Sequence, residues 1–126
     1  LVVRGVCCLR PGVAGVSEHI RVRSVIGRFL EHTRVYWFQN GGKEEVLLAS
    51  ADWMERNFFR RVEAAFPIED GALRARVVKE ALSFYLSDNT QAWILQADGS
   101  YRRLGPDGHA PKSAQAALLK ELAEIA

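Results

Sequence analysis

The stretch GRFLEHTRVYWFQN, residues 27–40, decides how the middle of the chain folds. Its aromatic and β-branched run at residues 35–38 predicts a strand, because such side chains fit a pleated, half-buried surface. We extend this strand back to His32. Since strand side chains alternate between faces, His32 and Arg34 then point the same way. An imidazole beside a permanent cation suits a phosphate group, and the alternative is a structural histidine held by hydrogen bonds.

Turn signals on either side of this stretch predict further strands. Asn-Gly at residues 40–41 lies between two apolar runs and predicts a hairpin, and Asp-Gly at residues 98–99 predicts a second one. Apolar or alternating segments bounded by turn residues predict the remaining strands. These segments are residues 1–9, 19–26, 44–50 and 60–68.

Two helices complete the predicted fold. Asp70 is placed to cap one long helix over residues 71–88, whose apolar residues recur at spacings of three and four. A second, amphipathic helix is predicted to start at Ser113 and to run to the last residue. Strands mixed with helices predict an α/β (α+β) fold with a mixed β-sheet flanked by helices. Residues 1–126 are interpreted as a single domain.

The charge of the chain is unevenly distributed. Net charge is only +2, but 13 of the 17 basic residues are Arg. Residues 1–34 hold six Arg against two acidic residues, and the planar Arg fork matches phosphate oxygens bidentately. This part of the chain therefore favours binding of a polyanion. The arginines at 21, 23 and 28 are predicted to line a basic path for that polymer. The alternative is ordinary solvated arginines.

Several classes of protein are not indicated by the sequence. No apolar run reaches the roughly 20 residues of a membrane span, and the start does not resemble a signal peptide. The chain has no P-loop, GxGxxG, GxSxG or CxxC motif. Cys7 and Cys8 are adjacent and are interpreted as reduced thiols of a cytosolic protein. The chain opens in a strand-like pattern without Met, and we expect a piece of a longer protein.

Further polar candidates follow the predicted strand at residues 44–50. In LASADWMERN, residues 48–57, hydroxyl, carboxylate and amide groups come where a ligand can be reached. The alternative is that Ser50 or Asp52 caps a helix over residues 53–59. Glu63 either accepts a hydrogen bond from the His32 ring or pairs with an arginine at 60 or 61. The candidate supporting residues are Ser50, Asp52, Asn57 and Glu63.

Four motifs in order carry a family resemblance. LVVRGVCCLRPG, SEHIRVRSVIGRFLEHTRVYWFQNGG, LLASADWMERNFFRRVE and FPIED resemble the C-terminal domain of bacterial polyphosphate kinases. The resemblance runs from residue 1 to about residue 103, and residues 104–126 form a loop and a C-terminal helix outside it. That family is similar to the phospholipase D-like superfamily, whose active sites combine two related halves. The resemblance therefore implies a phospholipase D-like half-domain, the C-terminal catalytic half-domain of a longer polyphosphate kinase. Here Arg34 stands where phospholipases have Lys, and Asp52 replaces an amide, which argues against a phospholipase or nuclease half.

The resemblance implies a function and a set of site residues. It implies reversible transfer of the ATP γ-phosphate to polyphosphate, through a phosphohistidine located in the preceding domain. Arg4, His32 and Arg34 are the expected ATP-phosphate ligands, with His32 as a second active-site histidine and no metal ligand in this fragment. ATP or ADP is the implied substrate, and Mg²⁺ is expected in the full-length enzyme.

The resemblance also implies partners and a location. The partners are polyphosphate and the other domains of the same chain, in a full-length homo-oligomer that binds no nucleic acid. The location is cytoplasmic, with peripheral membrane association of the full-length enzyme as a second possibility. The isolated fragment is expected to bind phosphate weakly without turnover. The alternatives are a phosphodiesterase or nuclease half-domain of the same superfamily and a non-enzymatic polyanion-binding module.

Overall fold

The strands of the chain form two separate sheets. A computed structural model describes residues 1–125. The strands are β1 (Val2–Val3), β2 (Arg23–Val25), β3 (Val35–Phe38), β4 (Glu45–Ala49), β5 (Ala65–Pro67), β6 (Ala92–Leu95) and β7 (Tyr101–Arg103). The helices are α1 (Glu55–Arg60), α2 (Gly71–Val78), α3 (Phe84–Ser87) and α4 (Ala114–Ile125), with a 3₁₀ turn at Asn40–Gly42 and a π-helical turn at Lys79–Ser83.

Each sheet belongs to one of two compact units. The first unit combines Leu1–Glu31 with the chain from Leu82 onward, and the second unit is His32–Ala81. The first sheet has the order β1-β2-β6-β7, in which β1 and β2 are parallel and the other pairs are antiparallel. This is the predicted mixed sheet. The second sheet, of order β3-β4-β5, is wholly antiparallel.

The first unit is built around a small core and one buried carboxylate. Val25, Tyr85, Ala92 and Ala114 are buried against one another. Beside them, the buried Asp88 accepts hydrogen bonds from the main-chain N–H groups of residues 90, 91 and 114, at 2.9, 2.7 and 2.8 Å. The last of these bonds satisfies an N–H at the start of α4, which would otherwise lack a partner. A single side chain therefore fixes both the entry to β6 and the start of α4.

Replacing Asp88 by asparagine is expected to lower the free energy of unfolding by about 3 kcal/mol. The amide keeps one acceptor oxygen, but its NH₂ group then faces a main-chain N–H that has lost its partner, and charge-assisted bonds are the stronger ones. Urea unfolding of this chain measures the change. Asp107→Asn, at an exposed turn, is the matched control and should change stability by less than about 0.5 kcal/mol. Equal stability of the two variants would contradict the prediction.

Several local predictions are confirmed. Both hairpins form, with β3 paired to β4 and β6 paired to β7. Asp70 caps α2, because its Oδ1 accepts a hydrogen bond of 2.8 Å from the N–H of Leu73. The final helix begins at Ala114, one residue after the predicted start. None of the helices within residues 1–125 combines the length and hydropathy that a bilayer crossing requires.

Other local predictions are wrong. The predicted buried strand at residues 1–9 is reduced to the half-buried Val2–Val3, because Gly5 adopts a left-handed φ of 87° that ends it. The long helix predicted over residues 71–88 forms as one helical run up to Ser87, but its Lys79–Ser83 part is π-helical and not α-helical. The strand predicted from His32 begins only at Val35.

Candidate functional site

Three chain segments meet at one end of the second sheet. In an antiparallel sheet the start of β3, the end of β4 and the start of β5 lie side by side. Two main-chain bonds extend the ladder there: Ala49 N–H to the carbonyl of Arg34, and Ser50 N–H to the carbonyl of Ala64, both 3.0 Å. The sheet therefore gathers distant segments, since Arg34 and Ala64 are 30 positions apart in sequence. It brings together the neighbourhoods of His32, Ser50 and Glu63.

Arg34 links two of these segments through its guanidinium group. Its Nε donates a 2.8 Å hydrogen bond to Oδ1 of Asp52, and its Nη1 donates a 2.9 Å bond to the carbonyl oxygen of His32. The bond from Arg34 lowers the pKa of Asp52, and the same bond raises the pKa of Arg34. The side chains remain 24% and 41% exposed, respectively. This is an ion pair at the protein surface that also holds a main-chain group.

The predicted arrangement of His32 and Arg34 is wrong in one respect. Both residues precede β3, so strand alternation does not set their directions. Arg34 instead turns back onto the main chain of His32. His32 is exposed, and no hydrogen bond within residues 1–125 involves its ring. The imidazole is therefore open to a ligand, while its main chain is held by Arg34.

Glu63 is fixed by two neighbours. Its Oε2 accepts a hydrogen bond from the Ser50 hydroxyl, and its Oε1 accepts a 3.1 Å bond from Nδ2 of Asn57. Asn57 is buried, and its Oδ1 has no partner within residues 1–125. Both carboxylate oxygens of Glu63 are thus engaged. Both alternatives predicted for Glu63, a bond from the His32 ring and a pair with Arg60 or Arg61, are replaced by this network.

The capping interpretation of Ser50 and Asp52 is wrong. Helix α1 begins at Glu55 after Met54, and no side chain caps it. Ser50 instead bonds Glu63 and accepts a 3.0 Å bond from the N–H of Ala64. Asp52 instead bonds Arg34. Both polar side chains therefore hold the end of the sheet together.

An exposed aromatic group lies next to this network. The Trp53 indole N–H donates a 2.6 Å hydrogen bond to the Tyr36 hydroxyl, and the Phe58 ring meets the Trp53 ring edge-on at a centroid distance of 6.3 Å. Trp53 is 73% exposed and Phe58 is 56% exposed. Both rings therefore lie at the surface of the second unit.

Arg4 lies in the first unit, just after β1. The main chain that follows it is held by the buried Ser24, whose hydroxyl accepts from the N–H of Gly5 at 3.0 Å and donates to its carbonyl at 2.9 Å. The Arg4 side chain itself is exposed. Burial raises the pKa of Glu31, and a hydrogen bond to Gln115 and the charge of Arg4 oppose that shift. Arg4 is thus a cation on a fixed main chain.

The predicted basic path loses one member. Nη1 of Arg23 donates hydrogen bonds to the carbonyls of Tyr85 and Asp88, both 3.1 Å, at the end of α3. Burial lowers the pKa of Arg23, and the charge of Asp88 opposes this. Arg23 therefore stabilises a helix end, whereas Arg21 and Arg28 are exposed.

The Asp52 carboxyl is expected to titrate below its ordinary pKa of 3.8. The Arg34 N–H donates to the charged form and stabilises it, so a lower pH is needed to protonate the group. The ¹³C chemical shift of the carboxyl, followed against pH in aspartate-labelled chain, measures this value. In Arg34→Gln the pKa should rise toward 3.8. An unchanged titration would show that the bond to Arg34 is not kept in solution.

Comparison with known proteins decides the family. The family model described as Polyphosphate kinase C-terminal domain 2 matches residues 1–115. The chain belongs to this family. The polyphosphate kinase of Pseudomonas aeruginosa is 64% identical over 124 residues, which cover 98% of this chain and 18% of that protein. The polyphosphate kinase of Paraburkholderia phytofirmans is 60% identical over 119 residues, which cover 94% of this chain and 17% of that protein.

The fold agrees with a solved polyphosphate kinase. The crystal structure of the enzyme from Porphyromonas gingivalis matches with a TM-score of 0.88 at 39% identity, over 98% of this chain and 19% of that one. The predicted fold class is thereby confirmed. The family match also extends to residue 115, beyond the predicted limit near residue 103. This chain spans less than a fifth of the polyphosphate kinases that it resembles.

Proposed function

We propose that this chain is a catalytic part of a polyphosphate kinase, which transfers the γ-phosphoryl group of ATP reversibly to inorganic polyphosphate. The observation that carries the proposal is the 64% identity over 98% of the chain to a protein of that name. A histidine in the preceding domain attacks the γ-phosphorus, and the bond to the bridging oxygen of ADP breaks. A terminal oxygen of the polymer then attacks the phosphohistidine, so each transfer adds one phosphate.

Arg4 binds the phosphate groups of ATP in this proposal. Phosphoryl transfer depends on positioning and on compensation of charge on the transferred group. Arg4 suits that task because its side chain is exposed while the main chain after it is held at both polar groups of Gly5. The planar fork can then meet two phosphate oxygens without moving its own support.

His32 is the second active-site histidine in this proposal. Its ring is exposed and its carbonyl oxygen is held by Arg34, so the main chain that carries the ring has a defined position. An imidazole can donate a hydrogen bond to a leaving phosphate oxygen or move a proton to it. Both actions lower the charge that develops on the departing ADP.

Ser50, Asn57 and Glu63 support this end of the sheet. The Ser50 hydroxyl and the Asn57 amide fix both oxygens of the Glu63 carboxylate. The hydroxyl also accepts a hydrogen bond from the main-chain N–H of the residue before β5. The network joins the end of β4, helix α1 and the segment before β5. It keeps the surroundings of His32 in one arrangement during turnover.

Magnesium is the expected counter-ion of the ATP phosphates. Within residues 1–125, no three His, Cys, Asp or Glu side chains are grouped closely enough to hold a metal ion. We propose that Mg²⁺ meets its protein ligands in other domains. Homo-oligomerisation, a cytoplasmic location and contacts with the other domains complete the proposal for the full-length protein.

Incubation of the full-length protein with γ-labelled ATP tests the proposal. Wild type is expected to form an acid-labile phosphoprotein and long, labelled polyphosphate. Loss of polymer synthesis in variants of Arg4 and His32 would support the roles given to them. Cleavage of a phosphodiester without any transfer of label would overturn the kinase proposal.

A further inference from the structure

We propose that Arg34 is a positioning residue, which together with Asp52 holds the main chain at His32 and does not itself bind the phosphate groups. This inference rests on the proposed function, because it assigns His32 the reacting role. It changes the expectation from sequence, in which Arg34 was a third phosphate ligand. Asp52 accordingly becomes part of the active-site machinery.

The hydrogen bonds of Arg34 carry the inference. Within residues 1–125, the bond from Nη1 of Arg34 is the one hydrogen bond that reaches His32, and Thr33 makes none. The main-chain ladder between β3 and β4 ends at Arg34, whose carbonyl accepts from the N–H of Ala49. Without the guanidinium, no hydrogen bond within residues 1–125 would tie His32 or Thr33 to the second sheet. The Arg34 side chain thus takes the place of a further main-chain hydrogen bond of the sheet.

Asp52 is a suitable anchor for that side chain. It follows the buried Ala51, and its own carbonyl accepts a 2.8 Å bond from the N–H of Met54. The anchor is thus tied to the end of β4 and to the turn before α1. The path from Asp52 through the guanidinium to the His32 carbonyl consists of two bonds of 2.8 and 2.9 Å. A planar guanidinium held at two points has a fixed orientation.

Charge argues against phosphate binding by Arg34. A carboxylate 2.8 Å from the Nε nitrogen opposes most of the attraction that this cation would exert on an anion nearby. The second unit supplies no excess positive charge in compensation, since residues 32–81 contain eight basic and eight acidic side chains. Arg4, by contrast, has no carboxylate within ion-pair distance in residues 1–125. The two arginines therefore differ in what they can offer a phosphate.

Steady-state kinetics of the full-length protein distinguish the two roles. The variants are Arg34→Gln, Asp52→Asn and the double variant, with kcat and KM measured for ATP and for polyphosphate. Each single variant is expected to lower kcat about tenfold, with KM changed less than about twofold, because a displaced reacting group costs rate. The double variant should lose no more than either single one, since both remove the same support.

Opposite changes in KM would overturn the inference. If Arg34 binds phosphate, Arg34→Gln raises KM, whereas Asp52→Asn frees the cation and lowers KM. Arg56→Gln is the matched control, because it removes a nearby cation that influences Asp52 through its charge without bonding to it. Its kcat should equal that of wild type. A tenfold loss of kcat in this control would show that the local electrostatic field sets the rate, rather than the hydrogen bond from Arg34 to His32.

Hydrogen exchange gives a readout that does not need activity. In the full-length protein, the amide of Ala49, which donates to the carbonyl of Arg34, should exchange faster in Arg34→Gln and in Asp52→Asn, and at the wild-type rate in Arg56→Gln. Unchanged exchange in both variants would overturn the inference even if the enzyme is a kinase. Absence of polymer synthesis in wild type would instead overturn the proposed function. A surface ion pair contributes little to global stability, so the variants are expected to fold.

Discussion

Replacing His32 by alanine in the full-length protein is expected to lower kcat for polyphosphate synthesis by about 10²–10⁴. The ring is exposed and makes no hydrogen bond within residues 1–125, so its removal leaves the fold intact and deletes only what the imidazole gives to the ligand. The measurement is the rate of polymer formation at saturating ATP. His109→Ala, in an exposed loop, is the matched control and should keep the wild-type rate.

A second variant separates the two actions of the imidazole. His32→Gln retains a hydrogen-bond donor but cannot carry a proton at neutral pH. Recovery of most of the rate in this variant would assign a hydrogen bond to His32. Continued loss would assign proton transfer. Wild-type rates in both His32→Ala and His32→Gln would remove His32 from the active site.

Replacing Arg4 by lysine is expected to lower kcat by about 10²–10³, although the charge is kept. An ammonium group is a point charge on a flexible stem, and it cannot reproduce two parallel N–H bonds to phosphate oxygens. The hydrogen bonds that hold the main chain at Gly5 are the same for both side chains, so the comparison of Arg4 with lysine tests the side chain alone. The rate of polymer synthesis at saturating ATP is the measurement.

The control for Arg4 is Arg102→Lys, an exposed arginine on β7, which should keep the wild-type rate. If Arg4→Lys retains more than half of the wild-type kcat, charge alone is sufficient and the bidentate role is wrong. If Arg4→Ala also retains it, Arg4 does not contact the transferred phosphate. The two variants together therefore separate geometry from charge.

Features set by local chemistry could be predicted from the sequence. Both hairpin turns use residues that accept a positive φ, namely Asn40 at 44°, Gly41 at 62° and Gly99 at 89°. Asp70 was correctly identified as a cap, because a cap needs only a carboxylate three residues before a free N–H. In each case the decisive interaction lies within a few residues.

Features set by contacts between distant segments could not be predicted from the sequence. The strand expected to start at His32 begins later, because the Arg34 side chain binds Asp52, 18 positions away, and the His32 carbonyl. The strand expected over residues 1–9 stops early, where Ser24 holds the peptide of Gly5. Asn57 reaches Glu63 only because α1 begins at Glu55, a boundary with no capping signal in the sequence.

The antiparallel order of the second sheet separates the candidate site from the hairpin turn. His32 and Arg34 precede β3, whereas the turn at Asn40–Gly42 follows it, so the two lie at opposite ends of the same strand. All three turn residues are exposed, and Gly41 and Gly42 have open space where a side chain would be built. A fluorescent label attached at this turn without a change in loop length can therefore report on the enzyme and leave the register that assembles the site unchanged.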